Sequence, residues 1–147
     1  MAQSIKSRYR PKNPNKYKGD YNNIICRSSW ERKFCSWCDL NENIVAWGSE
    51  EFCIPYFDPT ERKMRRYFPD FIINVKENTG KIKTYVIEVK PRKQTLPPKQ
   101  KKRMTKSFLY ECKTFEVNRA KWEAASEWCK DRKIEFKIIT ENELGIK

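Results

Sequence analysis

Apolar residues recur along this chain with two different periods, and the switches between them mark out its elements. From Ser28 onward, SSWERKFCSWCDLN sets Trp30, Phe34, Trp37 and Cys38 at helical spacing. IVAW (44–47) and EFCIPY (51–56) are short strand-like runs separated by Gly48-Ser49, and Pro55 restricts pairing at the end of the second. FDPTERKMRR (57–66) reads as a polar connection. YFPDFIINV (67–75) and IKTYVIEVK (82–90) are β-rich runs, and the KENTGK between them has the Asn, Thr and Gly of a hairpin loop. PRKQTLPP (91–98) is a proline-broken basic loop, and 99–113 is compatible with a helix. NRAKWEAASEWCKD (118–131) predicts a helix capped by Asn118, with a stripe of Trp122, Ala125 and Cys129 widened by Trp128. IEFKIIT (134–140) predicts a closing strand and ENELG a terminal turn. The order α, several strands, α, β predicts an α/β domain with a mixed sheet flanked by helices. Residues 1–20, polar and punctuated by Pro11, Pro14 and Gly19, predict a flexible basic arm ahead of a single domain over 21–147.

Length and composition support that outline. The 147 residues suffice for one core, and although only 38% are hydrophobic, 14% are aromatic, including five Trp. Such side chains bury much area each, which excludes a disordered chain for the middle of the sequence. No apolar run has the length of a membrane span, and no signal-peptide core follows Met1. Histidine is absent. That removes histidine general acid–base catalysis, Ser/His and Cys/His nucleophile pairs, and histidine-containing metal sites. Of the six cysteines, Cys35 and Cys38 form a C-x-x-C, but no second close pair accompanies them. They fall within a helical pattern, where i and i+3 share a face, so buried thiols fit better than structural zinc.

The charge of +13 is concentrated. Residues 1–19 carry six Lys/Arg and residues 89–110 carry eight, with no acid in either, so the other 106 residues sum to −1. A near-neutral body with two basic segments is the electrostatic signature of a nucleic-acid binder. A membrane surface fits less well, because neither segment has a broad apolar helix face.

The chemistry lies on the predicted hairpin. Taken as symmetric about Thr79, it sets Asp70 opposite Glu88 on one face of the sheet, with Lys90 two residues further along the same face. A one-residue slip would separate the acids. Two neighbouring carboxylates repel unless a cation lies between them, and an all-oxygen site suits Mg²⁺ or Mn²⁺. Such an ion lowers the pKa of a bound water and stabilises phosphodiester attack, with a nearby lysine to orient or deprotonate the water. The alternative is a surface ion pair. Against it, Glu88 and Lys90 interrupt an otherwise apolar strand of Val86, Ile87 and Val89.

Pro69-Asp70 followed by Glu88-Val89-Lys90 resembles the PD-(D/E)xK motif of the restriction-endonuclease-like nucleases. The resemblance implies a restriction-endonuclease-like core. It implies Mg²⁺ on Asp70, Glu88 and the carbonyl of Val89, and a water-assisting role for Lys90. In that superfamily an acid from an early helix often completes the site. Glu31 matches that element, but Ser28-x-x-Glu31 is equally a capping box. Arg92, Lys93, Lys99, Lys101, Lys102 and Arg103 lead away from the motif and would follow a DNA backbone. The SSWERKF, RRYFPDF and YVIEVKP segments, with the basic arm, look most like a tailed-phage group of these nucleases. That implies virion assembly in the host cytoplasm, with head, portal or neck proteins as further partners. A transposon-end, junction or restriction enzyme of the same fold, or a non-catalytic DNA-binding protein of the phage head, are the other readings.

Overall fold

The computed structural model describes residues 6–100 and 103–146. The strands are β1 (Ser7–Tyr9), β2 (Ile24–Cys26), β3 (Ile44–Ser49), β4 (Ile54–Asp58), β5 (Lys63–Tyr67), β6 (Phe71–Lys76), β7 (Ile82–Val89) and β8 (Glu135–Ile139). The helices are α1 (Ser29–Leu40), α2 (Lys106–Asp131) and the short α3 (Glu141–Leu144). The central sheet has the order β3-β6-β7-β8, antiparallel except for the β7–β8 pair. A parallel pair needs a long crossover, and α2 provides it. This is the predicted α/β domain with a mixed sheet.

Alternation along the strands divides the core into two layers. On one face, Phe71, Ile73, Ile87 and Val89 pack with Trp30, Phe34, Cys35 and Cys38 of α1 and with Trp47. Ser28 starts α1 as expected, its Oγ accepting from the Glu31 N–H at 3.2 Å. On the other face, α2 and the β4–β5 hairpin form the second layer, with Ile54, Tyr56, Tyr67 and Ala125 buried beside Phe136 of β8. The two cysteines of the C-x-x-C are buried free thiols, and Cys35 Sγ lies 3.4 Å from Cys26 Sγ.

Three expectations need correction. The polar connection over 57–66 is instead half of a β-hairpin, with Phe57 opposite Met64 and Tyr56 opposite Arg65. Asp58 builds its turn, accepting from Thr60 N–H (2.9 Å), Thr60 Oγ1 (2.7 Å) and Arg65 Nε (3.1 Å). The charged strand disguises itself because Lys63 to Arg66 are all exposed. Pro55 is accommodated on an exposed edge strand. Second, Asn118 caps nothing. It is buried in the middle of α2, which runs unbroken for 26 residues from a Thr105 cap. No Gly or Pro lies between 106 and 131 to stop it.

Third, residues 7–17 of the expected flexible arm are part of the fold. β1 pairs with β2, and Tyr9 and Tyr17 are buried in the α1 layer, Tyr17 edge-on to Trp47 at 4.8 Å. The cause is Asp39, fully buried near the end of α1. It accepts from Tyr9 Oη (2.7 Å), Lys12 N–H (2.7 Å) and Asn13 N–H (2.9 Å). Lys16 Nζ donates to the carbonyls of Cys38, Asp39 and Asn41 at 2.8–2.9 Å, serving groups that a helix C-terminus leaves unpaired. Lys16, one of the six Lys/Arg in residues 1–19, thus spends its charge on the fold.

Candidate active site

The β6–β7 register pairs Phe71 with Ile87 and Ile73 with Tyr85, which is the symmetry about Thr79 read from the sequence. Continued by one residue, it sets Asp70 opposite Glu88. Both acids lie on the face covered by α2 and the hairpin. Lys90 follows on that face, its Nζ 3.9 Å from Glu88 Oε2. The Lys90 N–H donates to the carbonyl of Ile139 at 2.9 Å, which ties this end of β7 to β8.

Pro69 shapes the local backbone. It stands two residues before the β6–β7 ladder, which starts at Phe71↔Ile87, and its ring offers no N–H to extend that pairing toward Val89. The Val89 N–H turns instead to Asp70 Oδ2 at 2.8 Å. That bond orients the acid. Across the other edge, the Glu50 N–H donates to the Asp70 carbonyl at 3.1 Å, so the head of β6 is anchored on both sides.

Glu88 is only 6% exposed. Tyr67, the last residue of the hairpin, donates to Glu88 Oε1 at 2.6 Å and fixes its rotamer. Burial, then Glu88, then Glu31 hold the Asp70 carboxyl well above the usual carboxylate range; the Val89 N–H and Lys90 oppose them. Burial also raises the Glu31 carboxyl, against the Arg27 N–H, with Glu50 and Glu88 adding to the rise. Glu31 therefore lies in the field of the other acids. It serves α1 as well, accepting from the Arg27 N–H at 3.4 Å, while Arg27 Nε pairs with Glu50 Oε2 at 3.0 Å.

The candidate donors are all oxygen: two carboxylates, the main-chain carbonyl of Val89, and a third acid nearby. That chemistry fits a hard divalent cation. Among the described residues no group of three His, Cys, Asp or Glu side chains closes around one point. The fit therefore rests on Asp70, Glu88 and the Val89 carbonyl, with water completing the shell, as is usual for Mg²⁺.

The basic residues after the motif are exposed at Arg92, Lys93, Lys99 and Arg103; Lys101 and Lys102 lie outside the described residues. The Arg92 N–H donates to Glu141 Oε1 at 2.8 Å, fixing the start of this loop. Tyr67, read from the sequence as the head of the 67–75 run, instead closes β5, and that reading gave it no place beside Glu88. The exposed Arg62, Lys63 and Arg66 of the same hairpin were overlooked as well, although the RKMRR run was a visible signal.

A four-stranded mixed sheet carrying Asp70, Glu88 and Lys90 at one end of a hairpin, between two helical layers, defines a restriction-endonuclease-like nuclease fold. The chain belongs to the TnsA-like endonuclease N-terminal family, whose model matches residues 41–141 and so includes all three residues but not Glu31. It is similar to the head completion nuclease of Enterobacteria phage T4, with 45% identity over 138 residues, 91% of this chain and 89% of that protein. Restriction-endonuclease-like nucleases generally use divalent metal ions. No helix among the described residues is long and apolar enough to cross a membrane.

Proposed function

We propose that this chain is a Mg²⁺-dependent DNA endonuclease that trims the ends of packaged DNA during phage head completion, before tail attachment. The observation that carries the reading is that Asp70, Glu88 and Lys90 share one face of the sheet, with Glu88 buried and the other two partly exposed. Similarity to a head completion nuclease over nine-tenths of the chain supports the biological setting. In that setting the protein works in the host cytoplasm and at the virion, with head, portal or neck proteins as partners beside DNA.

Asp70, Glu88 and the Val89 carbonyl would hold Mg²⁺, with Mn²⁺ as a substitute. The chemistry such an ion would supply when held there is a bound water of lowered pKa and compensation of the charge that develops during phosphodiester hydrolysis. Lys90 lies on the same face, its Nζ 3.9 Å from Glu88 Oε2, and would orient the attacking water. Tyr67 keeps Glu88 in one rotamer, and the Val89 N–H does the same for Asp70. Glu31 is proposed as a third acid, acting from the start of α1. Arg92, Lys93, Lys99, Lys101, Lys102 and Arg103 would neutralise backbone phosphates, as would Arg62, Lys63 and Arg66 on the hairpin. Contacts of this kind give affinity without sequence selection.

The test is cleavage of plasmid and linear DNA by the purified protein in Mg²⁺, in Mn²⁺ and in excess chelator. Cleavage that depends on the ion supports the reading. Binding of DNA without cleavage under any of these conditions would support a structural DNA-binding role instead.

A further inference from the structure

Helix α2 buries a stripe against the hairpin and the sheet, and one member of that stripe is out of character. Val117, Ala125 and Trp128 all pack in the second layer, and Ala125 is fully buried. Lys121 lies four residues from both Val117 and Ala125, on the same row. A methionine or leucine would satisfy that row. A half-buried ammonium there loses water and needs compensation.

Compensation by ion pairing is incomplete. None of the ion pairs within 4.0 Å among the described residues involves Lys121. Its Nζ instead lies over two rings, 5.7 Å from the centroid of Tyr67 and 6.0 Å from that of Tyr56. Tyr67 is the residue whose hydroxyl holds Glu88. The tyrosine that orients the acid thus also seats this lysine. Burial lowers the Lys121 pKa, while Glu88 and Asp70 raise it and Lys90 lowers it, so all three motif residues act on it. Lys121 from the helix thus shares Tyr67 with Glu88, the acid that Lys90 pairs with from the strand.

We propose that Lys121 is a second lysine of the active site, binding a non-bridging oxygen of the phosphodiester that is cleaved. The inference rests on the nuclease reading of Asp70 and Glu88 and goes beyond the PD-(D/E)xK motif. Cation–ring contact holds the side chain without engaging a hydrogen-bond acceptor, so its N–H donors stay available for an anion. An ammonium kept in place before the substrate arrives stabilises developing phosphoryl charge with little reorganisation. The same cation would limit the repulsion that two bare carboxylates impose on a phosphate.

The experiment compares wild type, Lys121→Met and Lys121→Arg in steady-state DNA cleavage with Mg²⁺, alongside DNA binding in chelator and thermal unfolding. Lys121→Met is expected to lower kcat by about a hundredfold. Its DNA affinity should stay within about tenfold of wild type, because many other phosphate contacts remain. Lys121→Arg should recover much of kcat, since it restores the cation. A Lys121→Met protein that turns over at the wild-type rate would overturn the assignment. So would one whose only change is in thermal stability. If Lys121→Met does not fold, Lys121→Gln, which keeps a polar head without charge, is read in the same assay, and wild-type kcat there again overturns it. Failure of wild type itself to cleave would instead overturn the nuclease reading beneath it.

Discussion

Tyr67 and Glu88 are joined by a 2.6 Å hydrogen bond from phenol to carboxylate, and it links the β4–β5 hairpin to the sheet face that carries Asp70 and Glu88. Burial, with Glu88 close by, raises the phenol's pKa well above its ordinary value, so Tyr67 stays a donor. Tyr67→Phe keeps the ring and removes the donor. We expect cleavage to fall by roughly 10–100-fold, as when a group that orients a metal ligand is lost. The cost in stability should be about 1–3 kcal/mol, because a buried carboxylate oxygen loses its partner. Urea unfolding and cleavage assays on the same preparations measure both effects. Unchanged cleavage would show that Glu88 does not need this tether.

Glu31 carries two separable duties. Glu31→Gln retains an oxygen that can accept from the Arg27 N–H, so α1 should keep its start and its stability within ~0.5 kcal/mol. Loss of the charge beside Asp70 should nevertheless lower cleavage by about tenfold or more. Full activity would confine Glu31 to capping.

The first twenty residues now carry a prediction opposite to the one their composition suggests. Deleting residues 1–19 removes two buried tyrosines and the Tyr9, Lys12 and Asn13 donors to the Asp39 carboxylate, which should cost about 3 kcal/mol or more. A deletion protein with unchanged unfolding would restore the picture of a free arm.

Asp39 gives that segment a pH signature. Burial pushes its carboxyl up, but the Lys12, Tyr9 and Asn13 hydrogen bonds and the Lys16 charge together bring it below the ordinary value. A lowered carboxyl stabilises the fold above its unfolded pKa, and that contribution is lost as pH falls through the folded value. Tyr9→Phe removes one of these hydrogen bonds. It should destabilise by about 1–3 kcal/mol at neutral pH, and the gap to wild type should shrink in strong acid. A gap that does not vary with pH in urea titrations would exclude Asp39 as its source.

The parts legible in the sequence are those in which one local pattern governs. The β6–β7 hairpin announced its register through a symmetric loop, and with it the pairing of Asp70 with Glu88. Ser28 marked the start of α1 unaided. What stayed hidden depended on distant partners. Tyr9, Tyr17 and Lys16 look like solvated arm residues until Asp39, at the end of α1, is brought to them. β5 reads as loop because Lys63 to Arg66 face solvent, while its one buried residue, Tyr67, acts through a strand twenty residues later. Lys121 sits in an apolar stripe, but nothing in the sequence says that the stripe crosses the acid pair.

The roles of Asp70 and Glu88 are tested most directly by removing one charge at a time with isosteric variants. Asp70→Asn and Glu88→Gln keep acceptors for the Val89 N–H and the Tyr67 hydroxyl, so both should fold and bind DNA in chelator much as wild type does. The decisive measurement is the rate of plasmid cleavage in Mg²⁺ by these two proteins beside wild type. The account predicts that each loses about a hundredfold or more of the wild-type rate, with the far-UV spectrum unchanged. Cleavage at the wild-type rate by folded Glu88→Gln, in a preparation free of contaminating nuclease, would contradict it.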